Sequence, residues 1–437
     1  MIYSTHALCL AVFLSVTALP VSAKAVEAAF DIDLVELAAQ SAPAAGTVID
    51  SSNVTAHIQF IDQDVAELVG AGDFAISVGE TNAFAINPDY VRATVKHHEA
   101  VALGEQAGVI HNYNVGRPFP LPLDLEDSRA GDKAAWNMRY SYAPDENEVR
   151  EFIWHYRNMR TGKLERTLEM YGSMLRFKHR HTHQPMPELP ANRADIFNAL
   201  YLRVDRPQDV RNTQLLVHRQ EDDTRSEKAW MYSATQRRVR VLATGQTTDA
   251  FLGSDIMIED FLGYNGRIMD QKWKYIESRW ILMPLYRHSE LPIETLDTKS
   301  SDKETGFQLV DFHGKGSCFP NVTWQLRKAY VIEAIPTSTE HPLSRRVFYV
   351  DAQGYGPAVT KIYDRAGKLW KIGLAAVSDS DYHHPDNKPW QGGITDAVSM
   401  IDVQAEHCTT IQLLPVLPSR PLRPNQFTPQ QLRAVGR

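Results

Sequence analysis

The stretch RRVFYVDAQGYGPAVTKIYDRAGKLWKIGLAAV, residues 345–377, decides the fold. Within it RVFYVDA, AVTKIYD and KLWKIGLAAV each read as a strand rich in β-branched and aromatic residues. The connections are short, and Ala366-Gly367 is a turn pair. Strand, turn, strand, turn, strand with no helical period between them predicts an antiparallel meander, not β-α units.

Working outward, the same signal recurs. VTWQLRKAYVIEAIP, DQKWKYIES, RWILMPLY, TQLLVHRQ, KAWMYSA and RRVRVLAT all read as strands, with Tyr264-Asn265-Gly266 and Arg160-Thr161-Gly162 as turns. In AWNMRYSY a period of two puts Trp136, Met138, Tyr140 and Tyr142 on one face of an expected strand. In EFIWHYRN it aligns Phe152, Trp154 and Tyr156. NRADIFNALYL, residues 192–202, reads as a short helix interrupting the strands. VEAAFDIDLVELAAQ puts Phe30, Leu34, Leu37 and Ala38 on one helical face, and a second short helix is expected after Asp62. At the C-terminus Thr428 is an N-cap, Pro429 suits the first helical position, and Phe427 and Leu432 are placed for a hydrophobic staple. The fold expected is mainly β with a few helices.

Residues 7–19 are apolar but too short to span a bilayer, and Val21-Ser22-Ala23 follows them with a small-x-small pattern. The expectation is a signal peptide over residues 1–23, although Lys and Arg are missing ahead of the apolar run. Leu8 precedes Cys9, which therefore does not read as a lipid anchor. Removing residues 1–23 leaves Cys318 and Cys408. In an oxidising compartment these can pair, closing a loop of roughly 90 residues that is worth about 4 kcal/mol; their spacing equally allows two buried thiols.

A net charge of −7 argues against a nucleic-acid partner. The short basic run Arg237-Arg238-Val239-Arg240 fits a strand edge. There is no GxSxG elbow and no phosphate-binding glycine loop. Ser254, between Gly253 and Asp255, reads as a turn residue, so no catalytic residue is assigned. His179, His181 and His183 alternate and on an extended strand would share a face, the one arrangement here suited to a metal-dependent enzyme. No carboxylate lies in that stretch to complete the shell, and no metal or cofactor is assigned. The acids Glu259-Asp260 and Glu221-Asp222-Asp223 are expected to face water. The unusual feature is aromatic. The residues placed on strand faces, Trp136, Met138 and Tyr140 with Phe152, Trp154 and Tyr156, are the candidates for lining an apolar ligand site on a curved sheet.

Four blocks carry a resemblance to the family called domain of unknown function 1329. They are GRPFPLPLDLEDSRAGDKAAWNMRYSY, SATQRRVRVLATGQTTDAFLGSDIMIEDFLGYNG, RRVFYVDAQGYGPAVTKIYDRAGKLWK and FTPQQLRAVGR, in that order over residues 116–437. Residues 24–115 fit the family pattern less well and are expected to form a divergent segment packed on the main domain. The resemblance implies the fold of the lipoprotein carriers LolA and LolB: a strongly curved, unclosed antiparallel half-barrel with a helical lid over an apolar cavity. It implies a periplasmic protein that carries a lipid, a lipoprotein or another hydrophobic cargo without catalysing a reaction. It implies as partners an RND-type inner-membrane transporter and an outer-membrane protein, for a carrier or for a ligand-free adaptor. Asp255 and Glu259-Asp260 are then residues that fix a turn or a contact, not active-site acids.

Overall fold

The computed structural model describes residues 22–436 apart from 191, 244–247, 292–300 and 303–306. The signal-peptide expectation therefore falls, but for Ser22 and Ala23, outside the described residues. One sheet organises the chain. Its strands are β1 (Val48–Ile49), β2 (Ile76–Val78), β3 (Glu146–Asn158), β4 (Leu164–Arg176), β5 (Ile196–Arg206), β6 (Gln214–Gln220), β7 (Lys228–Ser233), β8 (Arg238–Leu242), β9 (Gln271–Met283), β10 (Leu285–Tyr286), β11 (Thr323–Pro336), β12 (Leu343–Asp351), β13 (Pro357–Asp364), β14 (Leu369–Asp379), β15 (Gly393–Asp402) and β16 (His407–Val416).

The strands from residue 345 onward are the meander that the opening stretch predicts: β12, β13, β14, β15 and β16 each pair antiparallel with the next. β11 pairs with β12 on one side and with β9 on the other. The step that builds a single sheet is non-local. β16 pairs with β3, from His407 opposite Asn158 to Val416 opposite Glu148, and β3 to β8 continue the meander. Among the described residues no pairing joins β8 to β9, so the half-barrel stays unclosed. Two short parallel contacts, β2 with β11 and β10 with β14, are the exceptions to its antiparallel order.

Two readings from sequence are corrected. Residues 135–142 are not a strand: Ala130–Arg139 is helix α5, and Tyr140 is its C-cap. Trp136 and Tyr140 satisfy a spacing of four as well as one of two, and Ala130, Ala134 and Ala135 favour the helix. Residues 192–202 are not a helix. Ile196 begins β5, which is hydrogen-bonded to β4 on one side and β6 on the other, and that pairing overrides local pattern. The expected N-terminal helix is also broken into Ala23–Ala28 and Leu34–Ala38, the second capped by Asp33.

The sheet has a covered convex face and a partly covered concave one. On the convex side Phe60, Val65, Val69 and Phe74 of the N-terminal segment pack into one cluster with Tyr349, Val359 and Ile372. Val65 and Val69 come from helix Gln63–Gly70, whose N-cap, Asp62, accepts hydrogen bonds from Tyr349 (2.5 Å) and Lys361 (2.6 Å). Cys318 and Cys408 form a disulfide, with Cα atoms 6.0 Å apart, tying β16 to the segment that covers it. Over β5 to β7 the cover is the C-terminal helix Pro429–Val435, capped by Thr428. Its Leu432, with Phe427, packs on Tyr201, Leu216 and Tyr232. Among the described residues no helix is long and apolar enough to cross a membrane.

Candidate ligand cavity

On the concave side the cover is thinner. Helix α5 lies over β9, β11 and β12, with Trp136 and Tyr140 buried against Trp273, Ile332 and Phe348. The close approach requires Gly131: a Cβ there would meet the Trp273 backbone at 2.5 Å. Asn137 fixes the helix to the preceding chain, accepting from the Phe119 N–H (2.9 Å) and donating to its carbonyl (2.7 Å).

The second part of the cover is residues 251–268, the acidic stretch that resembles an active-site loop. Its acids are structural, and they do not face water as expected. The Asp255 carboxylate accepts from Thr409 Oγ1 (2.7 Å) and is 2.8 Å from His407 Nδ1, while its carbonyl accepts from Lys371 (2.5 Å). Glu259 and Asp260 both meet Arg346 on β12, at 3.1 and 3.0 Å. Burial alone would raise the Glu259 carboxyl, but Arg346 and His341 hold it down at about 2. Asp223, of the triple acid run, is likewise buried, in an ion pair with Arg139. The loop is pinned to the sheet through rings as well: Phe251 and Phe261 pack edge-on against Trp154, with centroids at 5.7 and 6.2 Å.

Between this cover and the sheet lies a cavity of about 430 Å³. Its floor includes Phe152, Trp154, Leu200, Leu202, Met400 and Ile411. Met138 of α5 and Phe261 and Leu262 of the loop face it from above. Leu262 is also 55% exposed, with φ 55°, so the loop turns there at the mouth. The volume lies within the range of ligand sites, roughly 300–1,000 Å³.

The six lining candidates from sequence thus divide. Met138, Phe152 and Trp154 border the cavity. Trp136 and Tyr140 sit in the core under α5, where Tyr140 stacks on Tyr113 at 4.0 Å. Tyr156 donates to the Leu252 carbonyl (3.2 Å) and so holds the loop. Leu200, Leu202, Phe261, Met400, Ile411 and the polar wall discussed below were not found from sequence. The only local signal for any of them is the apolar pair Phe261-Leu262 ahead of Gly263.

The three alternating histidines do not share a face. They follow β4 in a loop, and His179 has φ 57°. His179 Nε2 is 2.7 Å from Glu221 Oε1, and its ring packs on Tyr113 and Tyr140. His181 packs instead on Tyr90 and Tyr142, and burial with Arg176 nearby lowers its pKa to about 4. Among the described residues no group of three or more His, Cys, Asp or Glu is arranged to hold a metal ion.

Curved sheet, helix and crossing loop define a half-barrel with a ligand-sized interior. The chain belongs to the DUF1329 family, described as protein of unknown function, whose model matches residues 48–433. That match begins well ahead of the motifs quoted above. The chain is similar to an uncharacterized protein of Pseudomonas aeruginosa, 23% identical over 328 residues. The alignment covers 72% of this chain and 65% of that relative, so the chain spans just under two thirds of the relative's length. Two solved structures match with a TM-score of 0.47, 15% identity and 70% of this chain covered. One is a domain provisionally described as an outer membrane lipoprotein-sorting protein, from Vibrio parahaemolyticus, covered in full. The other is a DUF1329 family protein from Desulfovibrio piger, covered to 98%. A LolA superfamily protein from Nitrosomonas europaea matches with a TM-score of 0.38 and 9% identity, over 67% of this chain and 93% of that one.

Proposed function

We propose that this protein is a periplasmic carrier for a lipid, a lipoprotein or another hydrophobic molecule. The observation that carries the reading is the apolar cavity of about 430 Å³ under α5 and residues 251–268. Burying a hydrocarbon there returns roughly 25 cal/mol for each Å² removed from water. The chain needs no reaction for this: loading and release require the loop and α5 to part from the sheet and return. The disulfide supports an oxidising compartment, as does the apolar N-terminal stretch. Exchange would be with an envelope partner, and the family resemblance points to an RND-type transporter or an outer-membrane protein.

The test is mass spectrometry of an organic extract from protein purified gently out of the periplasm. An apolar molecule near one per chain is the expected result. Met400→Trp, which fills the cavity from its floor, should abolish retention while the fold persists. An empty wild-type protein that also takes up no fluorescent acyl probe would overturn the carrier reading.

A further inference from the structure

The cavity lining changes character at one end. Arg176, Asn198 and Arg219 stand directly across from one another on β4, β5 and β6. All three border the cavity, and Asn147 on β3 lies beside them on the same wall. Alternate residues of a strand share a face. Two and four residues further along β5 the lining is therefore Leu200 and Leu202, which continue toward Phe152 and Trp154. One wall thus runs from a polar, cationic rung to a fully apolar one.

The two arginines of that rung are not equivalent. Arg219 is spent: its Nη2 donates to the carbonyls of Gly266 (2.8 Å) and Tyr264 (3.3 Å), and its Nε lies 3.1 Å from Glu227. Arg176 is not. Its neighbouring acid, Asp145, is 3.9 Å from Nε, beyond hydrogen-bond reach. The Asp145 carboxylate already accepts the N–H groups of His181 (2.9 Å), Thr182 (2.7 Å) and His183 (2.9 Å). What remains to Arg176 is a long bond from Nη2 to the Ala143 carbonyl, at 3.5 Å. Its Nε has no partner, although the residue is only 4% exposed. The Phe197 ring, 5.4 Å from the guanidinium carbon, backs it. Burying a guanidinium is costly unless a paired anion and hydrogen bonds compensate it. Here the donors face a cavity, and the planar fork of arginine fits a carboxylate or a phosphate.

We infer that the cargo is an anionic amphiphile. Its carboxylate or phosphate head sits against Arg176 between Asn147 and Asn198, and its hydrocarbon runs along Leu200, Leu202, Phe152 and Trp154. This inference rests on the carrier reading and names the class of molecule that the same cavity takes.

The experiment is a calorimetric titration of delipidated protein with palmitate, palmitoyl lysophosphatidate and hexadecanol. At least one anion is expected to bind ten-fold or more tightly than the alcohol. The tighter of the two tells a fatty acid from a phospholipid head group. Arg176→Gln and, separately, Asn198→Leu should bring that ratio close to one while leaving hexadecanol affinity unchanged. Asn198→Leu removes no buried charge, so it decides the matter if Arg176→Gln does not fold. Equal binding of alcohol and anions, untouched by either substitution, would overturn the anionic head group and leave the carrier intact. Binding of none of the three would remove the carrier reading itself.

Discussion

The two faces of the sheet are covered in different chemistry. The convex face is closed by apolar side chains, Val65 and Val69 on one wing and Phe427 and Leu432 on the other, and by a disulfide. The concave face is closed by one helix and a loop, and the loop is held largely by buried charge: Arg346 with Glu259 and Asp260, and Thr409 with Asp255. Apolar contacts lose their value when they part in water, whereas charged groups recover hydration. The convex cover is thus built to stay, and the concave cover to open at lower cost. The cavity lies under the second.

That contrast can be broken by mutation. The largest expected effect is on the convex side. Replacing Cys318 and Cys408 by Ala frees a loop spanning 90 positions and should lower stability by about 4 kcal/mol in urea unfolding. Retention of an acyl probe at equal fraction folded should not change; a lost probe would mean that the two covers are one cooperative unit. Next is Arg346→Met, which leaves Glu259 and Asp260 buried without their cation and should cost about 3 kcal/mol. Here faster probe release is expected along with the lost stability. Unchanged release would show that the loop does not gate the cavity. Smaller again is Gly131→Ala, which pushes α5 off Trp273 at a cost of about 1–3 kcal/mol. It should speed release more than it lowers the unfolding midpoint, and the reverse would make α5 core rather than lid.

The sequence reveals the two covers unequally. The meander from β12 to β16 is legible because each strand is long, periodic and joined to the next by a short turn. The convex cover is legible in part: Thr428, Phe427 and Leu432 announce the last helix, and Cys318 and Cys408 are the cysteines left outside the apolar leader. The concave side is where reading fails. Trp136, Met138, Tyr140 and Tyr142 satisfy a period of two by coincidence, and only packing on Trp273 and Phe348 selects the helix. Phe197, Leu200 and Tyr201 fit a helical spacing, yet β4 and β6 flank them on both sides. The partners that matter are far apart in the chain. Glu259 meets Arg346 87 positions away, and Arg176, Asn198 and Arg219 become neighbours only through strand register. No local pattern encodes that register.

The smallest expected effect is a tilt in the pH dependence of the concave cover, where two glutamates pull in opposite directions. Glu259 is held at about 2, below the ordinary 4.5, because Arg346 and His341 outweigh the effect of burial. Its contribution to stability is fully present above pH 4.5 and is lost as pH falls toward 2. Glu227, which accepts a hydrogen bond from Asn265 in the loop (3.1 Å), is pushed up to about 7 by burial, against the pull of Arg219 and Arg139. Its contribution is present below 4.5 and is lost as pH rises through 7. The melting temperature of the wild type should therefore climb from pH 3 to about 4.5 and then decline toward 7. Glu259→Gln should flatten the climb, and Glu227→Gln the decline, each leaving the other limb in place. Lys361 with Asp62 serves as the convex control, since Asp62→Asn should shift the whole curve without reshaping the Glu227 limb. Should all three variants run parallel to the wild type, the charges on the concave side would not be what holds its cover, and the contrast between the faces would reduce to apolar packing alone.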